Sequence, residues 1–99
     1  MKIFIPKDKI GNPEQFIRRC SYGKIFDRRS GQTSYARRIR GSLYPRLHLY
    51  IDEREDQVIF NLHLDQRQTR YEGVTAHSGE YDGVAVEQEV DRIKKLLNL

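Results

Sequence analysis

The chain has 99 residues, of which 37% are hydrophobic and 32% charged, and its formal net charge is +4. This length suits a single core, so we expect residues 1–99 to form one domain. No apolar run approaches the ~20 residues that cross a bilayer, and the apolar start of the chain is too short for a secretory signal. The single cysteine, Cys20, excludes an internal disulfide and a cysteine-based zinc site, so we expect a cytoplasmic protein without membrane contact.

The first predicted elements are a strand and a short helix. Residues 1–6 place Ile3 and Ile5 on one face of a strand. Asn12 followed by Pro13 is typical of a helix start, because an Asn side chain caps free amides and proline suits the first helical position. The helix would bury three side chains before it stops near residue 21: Phe16, Ile17 and Cys20.

Residues 24–40 allow two interpretations. In the first, Ser30 and Gly31 form a turn in a β-hairpin that places Phe26 opposite Tyr35. In the second, a short helix begins near Thr33. We favour the hairpin, because two apolar pairs then face each other across the turn.

Residues 45–65 carry the strongest local pattern, two alternating strands joined by the charged turn 52–57. Pairing Ile51 with Val58 puts both apolar sets on one side of the sheet, as a half-buried hairpin requires. These apolar sets are Leu47, Leu49 and Ile51 on the first strand, and Val58, Phe60, Leu62 and Leu64 on the second.

The last part of the chain predicts a long loop over residues 66–82 and an amphipathic helix over residues 84–97, with Asp82 as its cap. The element order is then β-α-β-β-β-β-α. We therefore expect an α+β fold with a single antiparallel sheet of four to five strands and two helices packed on one face.

We expect the functional site on the other face of this sheet, which the helices do not cover. The same pairing places Tyr50 opposite Ile59, His48 opposite Asn61, and Arg46 opposite His63. An aromatic ring beside hydrogen-bonding groups can stack bases, and nearby arginines can bind phosphates. We expect RNA or another single-stranded nucleic acid as partner, bound by Arg28, Arg29, Arg37, Arg38, Arg40, Arg46, His48, Tyr50, Asn61 and His63.

The charge distribution supports that expectation. Residues 1–50 hold twelve Lys or Arg against three Asp or Glu, a balance of +9, whereas residues 51–99 hold six against eleven, a balance of −5. Most of the excess in the first half is arginine, whose planar fork suits phosphate and carboxylate. The opposed charges also allow a second hypothesis, a homodimer or a protein partner attached to the open face.

A third hypothesis is a small enzyme. His63, Asp65 and His77 offer two imidazoles and a carboxylate for metal binding or acid–base chemistry, and His48 is a candidate fourth group. Their spacing matches no metalloenzyme pattern, so the sequence favours neither a metal site nor a cofactor, and it favours a non-enzymatic role. The hydroxyl residues of the first half, such as Ser34, have no recognisable base beside them in the sequence.

Overall fold

The computed structural model describes residues 1–66 and 79–99, and only the backbone of residues 79–82. Its elements are β1 (Lys2–Pro6), a 3-10 turn (Lys7–Lys9), α1 (Pro13–Arg19), β2 (Gly23–Phe26), β3 (Thr33–Arg38), β4 (Arg46–Glu53), β5 (Gln57–Asp65) and α2 (Gly79–Leu96). The strands form one antiparallel sheet in the order β1-β5-β4-β3-β2. The α+β prediction is confirmed, with five strands.

One face of the sheet is buried under both helices. Alternate residues of the strands meet the apolar side chains of α1 and α2 in a single cluster. Phe16 of α1 stacks on Phe60 of β5 with 6.3 Å between ring centroids. The side chains with least exposure in this core are Phe60, Ile3, Ile5, Ile17, Leu49, Leu62, Ile93 and Val58. The opposite face carries no helix in the part of the chain that the structure describes.

The β4–β5 hairpin forms as predicted, but its register differs by two residues. Ile51 lies opposite Phe60, not opposite Val58. The cause is the turn, where the Arg54 amide donates to the Gln57 carbonyl oxygen at 2.8 Å and leaves only two residues at the tip. Because a strand repeats every two residues, a shift of two keeps every side chain on its predicted face and changes only its cross-strand neighbour.

The β2–β3 hairpin confirms the strand interpretation of residues 33–38, and its register also differs by two. Phe26 lies opposite Thr33, and Tyr35 lies opposite Lys24. The turn closes early because the Asp27 amide donates to the Gln32 carbonyl oxygen at 2.9 Å. Gly31 lies inside this turn with φ +74°, a left-handed conformation that glycine adopts without a steric penalty.

The predicted start of α1 is confirmed, whereas the predicted start of α2 is wrong. The Asn12 side chain accepts a hydrogen bond from the Gln15 amide at 3.0 Å, so the predicted cap of α1 is confirmed. Helix α2 begins at Gly79, five residues before the expected start, so Asp82 lies inside the helix and the prediction that it caps α2 is wrong. No helix among the described residues is long and apolar enough to cross a membrane.

A buried carboxylate joins α2 to the sheet. Glu89 is 4% exposed and accepts hydrogen bonds from the Tyr22 hydroxyl and from the Arg92 guanidinium, whose Nε lies 2.7 Å from Oε1. Arg92 also donates to the backbone oxygen of Cys20 at 2.9 Å. Arg37 of β3 adds an ion pair to Glu89 at 3.6 Å. This arginine therefore lies on the face covered by helices, not on the open face where the sequence placed it.

Candidate functional site

Two imidazoles and a phenol ring pack together at the centre of the open face. His48 of β4 lies directly opposite His63 of β5, with ring centroids 4.9 Å apart. The Tyr50 ring is 4.9 Å from His48 and 5.9 Å from His63. Asn61 lies opposite Tyr50, not opposite His48 as the sequence predicted. The shifted register is what brings the two histidines into contact.

Asp65 bridges these imidazoles. It lies on the same face of β5 as His63 and two residues beyond it, so one carboxylate reaches both rings. Its Oδ2 is 2.8 Å from His48 Nδ1, and its Oδ1 is 3.1 Å from His63 Nε2. The same Oδ2 accepts a hydrogen bond from Arg46 Nε at 3.2 Å. The sequence predicted His63 and Asp65 together with His77, and with His48 as a fourth group; among the described residues the structure brings His48, His63 and Asp65 together.

Ser34 is a member of the cluster that sequence reasoning missed. Its Oγ is 2.7 Å from His48 Nε2, the ring nitrogen that points away from Asp65. The order serine, histidine, aspartate resembles the hydrogen-bonded chain of a catalytic triad. However, Ser34 is only 5% exposed and lies within a regular strand, whereas oxyanion-binding amides are usually presented by a loop or a helix terminus. The contact that the structure shows is the hydrogen bond between the hydroxyl and the imidazole, which orients the ring.

The surroundings of His48 favour the neutral form of its ring. Burial lowers the pKa of His48 below its usual value, and the nearby Asp65 carboxylate, which acts in the opposite direction, offsets only part of that effect. A neutral imidazole carries one N–H and one lone pair. Because a hydroxyl can either donate or accept, Ser34 accommodates both tautomers of the ring.

A shallow trough runs beside this cluster. Gly23 of β2 and Ala36 of β3 lie opposite each other, and Ala36 also lies opposite His48. Glycine has no side chain and alanine has only a methyl group, and these two residues line a depression of about 290 Å³ together with Arg38 and Arg46. These two arginines are directly opposite each other on β3 and β4. No acidic side chain lines the trough among the described residues.

The structure separates the arginines that the sequence grouped together. Arg38 and Arg46 lie at the trough, where the Arg46 guanidinium is 4.9 Å above the Tyr44 ring. Arg28 and Arg29 are exposed in the β2–β3 turn, near the opposite end of β3 from Arg38. Arg40 is exposed in the loop after β3, and Arg37 is paired with Glu89 under the helices. His77 lies outside the described residues.

Comparison of this chain with protein-family models, with curated proteins and with solved structures finds no match. The class that the fold and site define is an α+β protein with an open sheet face. That face carries a histidine–aspartate cluster beside a trough lined by two arginines.

Proposed function

We propose that the protein binds single-stranded nucleic acid, RNA in particular, on its open sheet face. The observation that carries the proposal is the pair Arg38 and Arg46, which lie directly opposite each other on β3 and β4 and line the same trough as Gly23 and Ala36. Phosphates of the bound strand would lie in this trough. Bases would stack on the rings of the neighbouring cluster, about 7 Å further along β4.

The electrostatics of the trough favour an anion. Like charges directly opposite each other on adjacent strands destabilise a sheet, and a phosphate between them removes that cost. Arg46 is partly neutralised by Asp65, whereas no described carboxylate lies within 4.0 Å of the Arg38 guanidinium. Arginine is suited to this role, because its guanidinium presents two parallel N–H groups to phosphate oxygens.

The rings on the same face favour a single strand over a duplex. Tyr50 and His63 stack with their planes 18° apart, and the side chain of His63 is 44% exposed. Phe4 of β1 lies on the same face, opposite Ile59, and is 58% exposed. Unpaired bases stack on such rings, while the bases of a duplex are already stacked on one another. A partner of this kind, together with the buried single cysteine, agrees with a cytoplasmic protein.

The test is fluorescence anisotropy with a labelled 12-nucleotide single-stranded RNA, the matching DNA strand and a duplex of the same sequence. We expect the single strands to bind more tightly than the duplex. We also expect affinity to fall steeply between 50 and 200 mM salt, because each phosphate contact to a single strand contributes about 0.7 to the logarithmic salt slope. Arg38→Ala is expected to weaken binding about tenfold and to reduce that slope by about 0.7.

Arg28→Ala is the matched control, since it removes the same charge from the exposed β2–β3 turn. It is expected to change affinity less than about threefold, because only general attraction is lost. Ala36→Leu, which fills the trough without changing charge, is expected to weaken binding as Arg38→Ala does. Equal effects of Arg38→Ala and Arg28→Ala, or no binding at 50 mM salt, would refute the proposal.

A further inference from the structure

We propose that His48, His63 and Asp65 form a binding site for one first-row transition-metal ion of the Zn²⁺ or Fe²⁺ type. Each residue contributes one ligand atom, and these atoms lie within 4.8 Å of one another. Two imidazoles and a carboxylate form a set that these metals accept, whereas Mg²⁺ and Ca²⁺ prefer ligands that are all oxygen. The proposal concerns the cluster itself and does not depend on whether nucleic acid binds.

Two of the distances between the donor atoms are close to those found around a shared ion. Metal–ligand bonds of about 2.0–2.1 Å put neighbouring ligand atoms about 2.8–3.4 Å apart in octahedral or tetrahedral geometry. In the structure Asp65 Oδ2 is 2.8 Å from His48 Nδ1, and Asp65 Oδ1 is 3.1 Å from His63 Nε2. With one ligand atom from each residue the separations extend to 4.8 Å, so a bound ion would draw the three groups together by rotation of the carboxylate and of the more exposed His63 ring. The ligands stand on two paired strands, which hold their backbones side by side.

The residues around the three ligands also suit a metal. A ligating histidine usually donates its second N–H to an oxygen, which fixes the ring and raises its basicity. Ser34 Oγ, 2.7 Å from His48 Nε2, can accept that N–H and leave the Nδ1 lone pair directed at the site. Arg46 holds the Asp65 carboxylate by a hydrogen bond at 3.2 Å. Both outer contacts therefore orient a ligand, as in known metal sites.

The site is open on one side. The side chain of His48 is 11% exposed, that of Asp65 is 24% exposed and that of His63 is 44% exposed. Three protein ligands on a partly exposed face leave further coordination positions for water or for an anionic ligand. A site with free positions is typical of catalytic metals, whereas structural zinc takes four protein ligands.

The first experiment measures metal binding directly in tag-free protein that has been treated with a chelator. Calorimetric titration with Zn²⁺, and with Co²⁺ as a spectroscopic substitute, is expected to show one ion per chain, while Mg²⁺ at the same concentrations gives no saturable heat. Nitrogen-15 NMR of the wild-type protein is expected to shift His48 Nδ1 and His63 Nε2 on addition of Zn²⁺. This measurement needs no variant, so it tests the proposal even if a substitution unfolds the protein.

The second experiment removes the ligands one at a time. His63→Ala and Asp65→Asn are each expected to weaken Zn²⁺ binding by more than about tenfold, and Ser34→Ala to weaken it about tenfold by freeing the His48 ring. Asp52→Asn is the matched control, since Asp52 lies on the same sheet face in β4 and is exposed. It is expected to leave affinity unchanged.

Three outcomes would overturn the metal site: no saturable Zn²⁺ or Co²⁺ binding by the wild-type protein, NMR shifts at other nitrogens, or equal affinities for Asp65→Asn and Asp52→Asn. Failure of the RNA titration would leave these results unaffected. Conversely, an RNA-binding protein that takes up no metal would retain the proposed function and lose this inference alone.

Discussion

Replacement of Glu89 by glutamine tests how α2 is held on the sheet. Glu89→Gln keeps the size of the side chain and one oxygen that can accept from Tyr22, but it removes the negative charge. In the native protein that charge receives two N–H groups of Arg92, at 2.7 and 2.9 Å, and lies 3.6 Å from Arg37. The substitution therefore leaves two arginines beside a buried neutral group.

The expected loss of stability is about 3 kcal/mol. Removing one partner of a buried ion pair costs about 3–5 kcal/mol, because the other charge stays desolvated. Glu89 is nine-tenths buried or more, whereas the side chains of Arg92 and Arg37 are about one-third exposed, so water compensates part of the loss. A 3 kcal/mol change should lower the midpoint of thermal unfolding by roughly 15 °C in a domain of this size.

The assay is urea unfolding followed by circular dichroism between pH 7 and pH 3. Burial alone would raise the pKa of Glu89. The hydrogen bonds from Arg92 and Tyr22 and the charge of Arg37 outweigh this effect, so the net pKa of Glu89 lies below its usual value. A carboxyl group with a lowered folded-state pKa stabilises the protein above its unfolded pKa of about 4.3, and this stabilisation is lost as the pH falls through the folded pKa. The difference between wild type and Glu89→Gln should therefore be constant from pH 7 to about pH 5.5 and narrow below about pH 4.3.

Glu87→Gln is the control, since Glu87 is exposed on the same helix. It should change stability by no more than about 0.5 kcal/mol. A loss below about 1 kcal/mol for Glu89→Gln at pH 7, or a difference that grows on acidification, would refute the reasoning about the buried carboxylate.

Three further changes test other parts of the fold by the same unfolding assay. Gly31→Ala should destabilise the protein by about 1 kcal/mol, because φ is +74° there although no atom crowds an added Cβ. Gly41→Ala has equal space and no left-handed φ, so it should be neutral or slightly stabilising, and equal effects at the two glycines would contradict this. Asn12→Ala should cost about 1 kcal/mol through the lost helix cap, and a change near zero would show that the cap contributes little. Leu49→Ala should cost about 3 kcal/mol by opening a cavity in the fully buried core, and a cost below about 1 kcal/mol would contradict that burial.

The faces of the strands could be predicted from the sequence, but the cross-strand neighbours could not. Alternation alone places Leu49 inward and His48 outward, and it is insensitive to an error of two residues. The pairing of His48 with His63 depends on how tightly the turn at residues 54–57 closes, and several turn lengths satisfy the same alternation. The predicted patch was therefore on the right face, while the contact between its two imidazoles was not predicted.

Contacts between elements that are far apart in the chain could not be predicted from the sequence, for a different reason. Ser34 meets His48 only because β3 lies beside β4, and an ordinary serine in a strand gives no local signal of that contact. Arg37 looked like its neighbour Arg38, yet successive residues of a strand point to opposite faces. Its partner Glu89 lies 52 positions away on α2. A charge pattern read along the chain cannot separate these two arginines until the strand is placed in the sheet.

The two edge strands of the sheet affect whether copies of the protein aggregate at high concentration. Among the strands that the structure describes, β1 and β2 are outermost, and an outer strand is a template for adding a further chain. Pro6 ends β1 without an N–H to donate, and β2 is only four residues long. These two features disfavour the pairing of edge strands between copies of the protein. The open face can therefore stay broad without the sheet being extended by strands from other copies.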